Sequence, residues 1–249
     1  MTRTPSGIVS GDIVSVIEVH EDDQSDNKRT LTGCEAPVFT LQTPELQNRD
    51  DFLKYFRSLT LDINTANRVL HLSEGNKKVT REWTKAEYPD HPDRFDYCVQ
   101  VLCSEALIGT RCYWEVECSG KSLRIGVAYK GLSRKAWGRE CSLGNNDKSW
   151  SLQWSHSQYS VHNNNNTTAI SAPYSPRIGV YLDWPAGSLS FYSVSHTMTL
   201  LHRFKIFFTE PLYPGFLLYD YSSMSERIFP ADKPSNPSGA SGWTGVSGS

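Results

Sequence analysis

The stretch RIGVYLDWPAGSLSFYSV, residues 177–194, has the pattern of two β-strands joined by a tight turn. Apolar residues alternate along both halves, at Ile178, Val180, Leu182, Leu189 and Phe191. An alternation with a period of two residues, interrupted by Asp, Pro and Gly, predicts a hairpin with one buried face. Trp184 is unusual because it places a large apolar ring in the turn. We expect its ring to fold back over the edge of the sheet as a lid, with an exposed interface anchor as the alternative.

Short β-like runs of this kind continue from about residue 59 to residue 229, without a long amphipathic helix. The clearest predicted strands are 113–118, 124–129, 149–154 and 216–221, and Leu59, Leu61, Leu70 and Leu72 are spaced for two further short strands. Many short strands separated by turn residues predict an all-β sandwich or barrel. Trp114 and Trp150 lie within alternating runs, so we expect both in the core.

The two ends of the chain differ from this middle part. Residues 1–47 lack sustained periodicity and carry five acids between Glu18 and Asp26, which is typical of a disordered acidic lead-in. Asn48 and the two acids after Arg49 predict a capped short helix, which we expect to seal an edge of the domain. Residues 232–249 are rich in Pro, Gly and Ser and predict a disordered tail.

One apolar island interrupts the acidic lead-in. Val14, Val16 and Ile17 are followed by Glu21, Asp22 and Asp23, so the segment could add as a strand to a partner's sheet edge. It resembles a SUMO-interacting motif, and SUMO is therefore a candidate partner. A strand that packs on the chain's own domain is the alternative.

Composition narrows the class of protein. The formal net charge is −2, which favours neither nucleic acid nor an anionic membrane as a partner. The N-terminus lacks the pattern of a secretory signal, so a cytoplasmic protein is predicted. Six cysteines show no C-x-x-C pair, and we expect them to be reduced and mostly buried, with no metal site.

The motifs of catalysis are missing from the sequence. Ser119-Gly120-Lys121-Ser122 ends like a phosphate loop, but Glu115 stands where the first glycine belongs. There is neither a G-x-S-x-G elbow nor an H-E-x-x-H pair. We therefore predict a binding module, with no enzymatic activity and no cofactor.

Binding residues are expected in the loops, because loops carry function on a rigid sandwich. The predicted loops are 82–94, 130–148, 155–170, the turn at Trp184 and 205–210. Aromatic and arginine side chains are the usual interface anchors. In these loops they are joined by one histidine, so the candidates are Trp83, Tyr88, Arg134, Trp137, Tyr159, His162, Trp184 and Phe208.

Residues 48–231 resemble a PRY-SPRY domain. The blocks that carry the resemblance are LTLDINTANRVLHLSEGNKKVT (59–80), RFDYCVQVL (94–102), RCYWEVEC (111–118), RIGVAYKGLSRK (124–135), SWSLQW (149–154), the opening stretch and FTEPLYPGFLL (208–218). They divide into a PRY part at about 57–110 and a SPRY part at about 111–231. The phrase that begins FLKYFRSLTLDINTANRVL is similar to the C-terminal domains of fish TRIM-like, NLR-like and stonustoxin-like proteins.

The resemblance implies a bent, concanavalin-like sandwich of two antiparallel sheets that binds a protein partner through its loop face. It also implies a role in innate-immune or ubiquitin-linked signalling, and it adds Gln153 and Ser155 to the expected partner pocket, together with Tyr159 and Phe208. Two alternatives remain open. The chain is either the C-terminal fragment of a larger TRIM-like ligase or stonustoxin-like pore-forming protein, or a glycan-binding sandwich.

Overall fold

The computed structural model describes residues 46, 48–155 and 158–219, and the backbone of 225–227. The expected acidic lead-in and Pro/Gly/Ser tail lie outside these residues. One short helix, α1, begins the described part at Arg49–Leu53. The strands that follow in the described part are β1 (Leu70–Ser73), β2 (Lys78–Arg81), β3 (Gln100–Leu102), β4 (Arg111–Glu117), β5 (Ser122–Tyr129), β6 (Ser149–Ser155), β7 (Tyr159–Asn163), β8 (Asn166–Ile170), β9 (Arg177–Asp183), β10 (Ser188–Val194), β11 (Met198–Lys205), β12 (Leu212–Leu218) and β13 (Ser225–Arg227).

The strands form two antiparallel sheets, which confirms the predicted sandwich. One sheet has seven strands in the order β1-β2-β13-β4-β9-β10-β11, and the other has six in the order β3-β12-β5-β6-β7-β8. The hairpin at 177–194 lies well inside the seven-stranded sheet, since β9 pairs with β4 on one side and β10 on the other. Its alternating side chains, Ile178 to Phe191, are fully buried in the core.

The core fills the space between the two sheets. On β5, Leu123, Ile125 and Val127 point into it, while Arg124 points to the opposite, outer face of the six-stranded sheet. Trp114 and Trp150 are both buried in this core, as predicted from the alternation. The inner face is therefore apolar, and the outer face of the six-stranded sheet is left for polar side chains.

The short helix forms as predicted but covers a face and not an edge. The Asn48 side chain accepts a hydrogen bond from the backbone N–H of Asp51, which completes a capping box. The Phe52 ring then packs against Tyr113 and Tyr192, with ring centroids 5.3 and 4.7 Å away. These tyrosines stand on the outer face of β4 and β10, the two strands that flank β9 in the seven-stranded sheet. The aromatic contacts explain why the helix lies there.

Two further predictions need correction. Leu59 and Leu61 are buried as expected, but Leu61 makes only an isolated bridge to Cys103, so this segment is not a regular strand. Cys98 and Cys141 form a disulfide, whereas reduced thiols were expected. The structure brings them together although they are 43 residues apart in sequence. Cys103, Cys112 and Cys118 are buried, as predicted.

The predicted loop at 155–170 is for the most part a hairpin, formed by β7 and β8. Asn163 pairs with Asn166, and the two residues between them, Asn164 and Asn165, have φ of +45° and +64°. Positive φ at both central residues is the geometry of a type I′ turn, which asparagine tolerates well. The asparagine run is therefore the turn of a regular hairpin.

Candidate functional site

An open cavity of about 470 Å³, here called the Trp137 pocket, lies on the outer surface of the described part of the chain. Four separate segments line it: the end of β2, the residues before β3, the 130–148 loop and the end of β12. Their lining residues are Arg81, Tyr97, Cys98, Val99, Trp137, Gly138, Arg139, Ser142, Asn145, Leu217, Leu218 and Tyr219. The Trp137 ring is 82% exposed, so a large apolar surface stands free at this pocket.

The Cys98–Cys141 disulfide joins two walls of the Trp137 pocket. Cys98 belongs to the segment before β3, and Cys141 follows the 3₁₀ turn Gly138–Glu140 that comes directly after Trp137. Gln100 adds to this link, because its side-chain amide donates to the Cys141 carbonyl at 2.6 Å. The loop that carries Trp137 is thus fixed to the sheet by a covalent bond and a buried hydrogen bond.

A buried arginine lies beneath the same pocket. Arg124 is only 6% exposed and donates to the Leu143 carbonyl at 3.0 Å and to Asn145 Oδ1 at 2.8 Å. Its guanidinium also lies over the Tyr219 ring, 5.4 Å from the centroid. Asn145 and Tyr219 both line the Trp137 pocket, so Arg124 holds part of its floor in place.

Two further side chains complete the Arg124 network. Its Nε donates to Gln153 Oε1 at 3.3 Å, and its Nη2 lies 3.2 Å from His162 Nδ1. Burial, with a smaller contribution from the Arg124 charge, lowers the pKa of His162 to about 4. The imidazole is therefore neutral at pH 7 and can accept a hydrogen bond from the guanidinium.

A smaller cavity of about 290 Å³ adjoins the Trp137 pocket and shares Arg81, Tyr97 and Val99 with it. It adds two basic residues, Arg68 and Lys85, and one acid, Asp96. Asp96 forms an ion pair with Lys135, with 2.9 Å between the Nζ and Oδ1 atoms. The two cavities together form one continuous face with aromatic and basic side chains.

The candidate residues from the sequence do not form one cluster. Trp137 lines the pocket, and Gln153 reaches it through Arg124. Ser155 is half-buried at the end of β6, where its hydroxyl donates to the Gln158 carbonyl at 2.7 Å. Trp83 is 75% exposed in the segment after β2.

Tyr88 and Arg134 are half-buried supports of neighbouring segments. The Tyr88 hydroxyl donates to the Leu70 carbonyl at 2.9 Å, and the Arg134 guanidinium lies over the Phe95 ring, 4.6 Å from its centroid.

Three candidates lie in the interior, where a partner cannot contact them. Tyr159 is 1% exposed and its hydroxyl accepts from the Ser175 N–H at 2.8 Å. His162 is 6% exposed and belongs to the Arg124 network. Phe208 is 4% exposed, with its ring 5.8 Å from that of Trp150. The prediction treated their segments as loops, but two of these residues lie on β7 and the third packs into the core.

The Trp184 ring takes the lid arrangement. It is half-buried against the main core, and its centroid lies 6.5 Å from that of Phe208. Its indole Nε1 is buried without a hydrogen-bond partner among the described residues. Beside it, a groove of about 390 Å³ includes Phe207, which is 90% exposed. Trp184 and Phe208 thus lie at a surface different from the Trp137 pocket.

Sequence reasoning missed three residues that line the pocket: Arg81, Tyr97 and Tyr219. Each stands at a strand end or just before a strand, in a segment distant from the others in sequence. Tyr97 sits in RFDYCVQVL and Tyr219 directly follows the apolar run of β12, so an aromatic at the end of a strand was the available signal.

Two other predictions are limited by the described part of the chain. The proposed SUMO-binding residues Val14, Val16 and Ile17 lie outside it. Within it, there is no cluster of three or more His, Cys, Asp or Glu side chains suited to a metal ion. The helix in this part is also too short and too polar to cross a membrane.

Comparison with known proteins identifies the fold family. The chain matches the PRY, SPRY-associated domain model over residues 59–107 and the SPRY domain model over residues 111–232. Mouse tripartite motif-containing protein 16 is 34% identical over 227 residues, which are 90% of this chain and 41% of that protein. The beta subunit of stonustoxin from Synanceia horrida is 45% identical over 179 residues, which are 70% of this chain and 25% of that protein.

A solved structure agrees with these matches. The crystal structure of the TRIM65 PSpry domain superposes with a TM-score of 0.67 at 27% identity, covering 73% of this chain and 94% of that one. The chain spans only a quarter to two-fifths of the curated relatives described above. From two domain models in tandem and a shared sandwich, we conclude that the chain belongs to the PRY-SPRY family.

Proposed function

We propose that this chain is a non-enzymatic recognition module that binds a protein partner through the face centred on the Trp137 pocket. The carrying observation is the exposed Trp137 ring in a concave site that also contains Arg81, Tyr97 and Arg139. Trp, Tyr and Arg dominate the binding energy of protein interfaces, because they bury a large area with few rotatable bonds or make several hydrogen bonds. Trp83 and Gln153 extend the proposed contact surface beyond the pocket.

The proposed setting is innate-immune or ubiquitin-linked signalling. The relatives that support this setting include a tripartite motif protein that shares the PRY-SPRY region with this chain. The limited coverage of those relatives supports a second proposal, that this module acts as the C-terminal part of a larger ligase or pore-forming polypeptide. A transcript with a RING, coiled-coil or toxin core in frame upstream would establish it.

Partner capture with matched variants tests the main proposal. The full chain is used as bait, once as wild type, once as Trp137→Ala with Tyr97→Ala, and once as Phe207→Ala. Phe207 is the matched control, because it is also an exposed aromatic but lines the groove beside Trp184. We expect the pocket variant to capture at least tenfold less of the partner than the wild type, and the control to capture as much as the wild type. Equal capture by all three folded baits would refute the assignment of the pocket.

Glycan binding is the competing function, since sandwiches of this shape also host lectins and fold alone does not decide function. A glycan array with the full chain separates the two. Binding to a defined glycan that the Trp137→Ala change abolishes would replace the protein-binding proposal.

The apolar island at Val14, Val16 and Ile17 carries a separate proposal of SUMO binding. Its test is titration of SUMO into the full chain and into a variant with all three residues changed to Ala. We expect chemical-shift changes on SUMO with the wild type alone. If both chains shift the SUMO spectrum equally, or neither does, the proposal fails.

A further inference from the structure

The Trp137 pocket is positively charged in a chain that is acidic overall. Arg81 and Arg139 line it, and none of the lining residues in the described part of the chain carries a carboxylate. The chain as a whole has 27 acidic and 25 basic residues, so a pocket whose described charged residues are both arginines differs from the average of the chain. The adjoining cavity adds Lys85, while its Arg68 is paired with Asp90 and its described acid, Asp96, is paired with Lys135.

Arg124 adds a third positive charge beneath the floor. Its hydrogen bonds go to neutral acceptors, namely two amide side chains, one carbonyl and the His162 ring. Burial lowers the pKa of this guanidinium, and the Tyr219 side chain opposes the shift. Arginine is rarely buried without a carboxylate partner, because desolvation of the charge is costly. A negative charge entering the pocket above it would reduce that cost.

Apolar surface surrounds the charges. Tyr97 is 59% exposed and Tyr219 is 39% exposed, and both line the pocket together with the more exposed Trp137. Aromatic faces of this kind pack against large apolar side chains, while the guanidinium groups bind carboxylates with two parallel hydrogen bonds. The pocket therefore offers two complementary chemistries side by side.

Building on the proposed function, we propose that the pocket recognises a protein segment in which an Asp or Glu side chain lies next to a large apolar side chain. The carboxylate pairs with the exposed Arg139, and the apolar side chain packs on Trp137. Nucleic acid fits less well, because the arginines are confined to one cavity with its neighbour, without a basic stripe along the surface, and the net charge of the chain is negative.

The first experiment selects ligands without bias. The full chain is immobilised and panned with a displayed library of random twelve-residue peptides, with the Trp137→Ala chain used for counter-selection. We expect the recovered peptides to contain Asp and Glu at about twice the frequency of the starting library, next to Trp, Phe or Leu. The dominant sequence is then synthesised as the probe for affinity measurements.

A double-mutant cycle tests the charge contact itself. Arg139→Gln and the Asp→Asn or Glu→Gln form of the peptide are each expected to weaken binding at least fivefold, and the two changes together are expected to weaken it no further. Arg139 is exposed, so its replacement does not disturb the core. The control is Arg57→Gln, which removes the same charge from an exposed residue next to β4, on the other sheet, and should leave the affinity unchanged.

The outcomes separate this inference from the function on which it rests. Peptides that require Trp137 but lack acidic enrichment overturn the inference and leave the binding module intact. Failure to recover any peptide that depends on Trp137 counts against both. The choice of a protein partner would be overturned if a single-stranded uridine 20-mer binds the chain, loses affinity for the Arg139→Gln variant and is displaced by the acidic peptide.

Discussion

Removal of the Cys98–Cys141 disulfide should destabilise the fold by several kcal/mol. A cross-link stabilises a protein mainly by lowering the entropy of the unfolded chain, and the effect grows with the length of the closed loop. For a separation of 43 residues, the chain-entropy relation gives about 4 kcal/mol at 25 °C. For a domain of this size, such a loss corresponds to a fall in Tm of roughly 8–16 °C.

The perturbation is made in two independent ways. The first is the Cys98→Ser, Cys141→Ala double variant, in which the alanine avoids burying a hydroxyl at a position that is fully buried. The second is reduction of the wild-type chain with dithiothreitol. Urea unfolding followed by tryptophan fluorescence reports the free energy of unfolding in each case, and buried Trp114 and Trp154 provide the signal.

The comparison separates the cross-link from the side chains. We expect the reduced wild type and the untreated double variant, which both lack the disulfide, to show a similar loss in the free energy of unfolding. Dithiothreitol should not change the free energy of unfolding of the variant. Complete reduction is verified by counting thiols. If the fully reduced wild type unfolds within about 0.5 kcal/mol of the oxidised one, the chain-entropy reasoning is wrong for this bond.

Three further changes test the energetics of the site and the hairpin. The fold disfavours protonation of His162, because its pKa is lowered to about 4. The free energy of unfolding should therefore keep the full His162 contribution above pH 6.5 and fall by up to about 3 kcal/mol as the pH drops to 4. Urea titrations at several pH values should show a flatter pH dependence for His162→Gln. Gly144→Ala should lower the free energy of unfolding by more than about 2 kcal/mol, because φ is +88° and the new Cβ would lie 2.1 Å from Ser151 Oγ. Gly109→Ala is the control: the space around it is open, and urea unfolding should show a loss of about 1 kcal/mol. Trp184→Phe should change thermal stability by less than about 1 kcal/mol, since it removes a buried N–H without a partner, and a loss as large as that of Trp184→Ala would contradict this.

The period-two alternation predicted much of the sandwich because burial on one face acts residue by residue. The opening hairpin follows directly from it, and so does the burial of Trp114 and Trp150. The same rule applied to the segment after β6 would have paired Tyr159 with Val161 on the inner face. The asparagine run predicts a loop, whereas in the structure it forms the type I′ turn of a hairpin. The alternation of Tyr159 and Val161 in the sequence therefore predicts that Tyr159 is buried.

Other features depend on tertiary contacts and have no local signal. The sequence alone does not indicate which cysteines pair. Cys98 and Cys141 meet because the 130–148 loop packs against the segment before β3. Phe208 belongs to a predicted loop, and its burial depends on Trp150 from a strand far away in the sequence. The pocket itself is assembled from four segments, so its composition could be listed from the sequence only after the sheet order was known.

The arrangement beneath the Trp137 pocket favours a binding site that is already formed before a partner arrives. The disulfide fixes the loop that carries the exposed ring, and Arg124 binds both Leu143 and Asn145 in the same loop. A loop held in this way loses little conformational entropy on binding, which leaves more of the contact energy for affinity. Reduction of the disulfide should therefore weaken peptide binding as well as the fold, even under conditions where the chain stays folded.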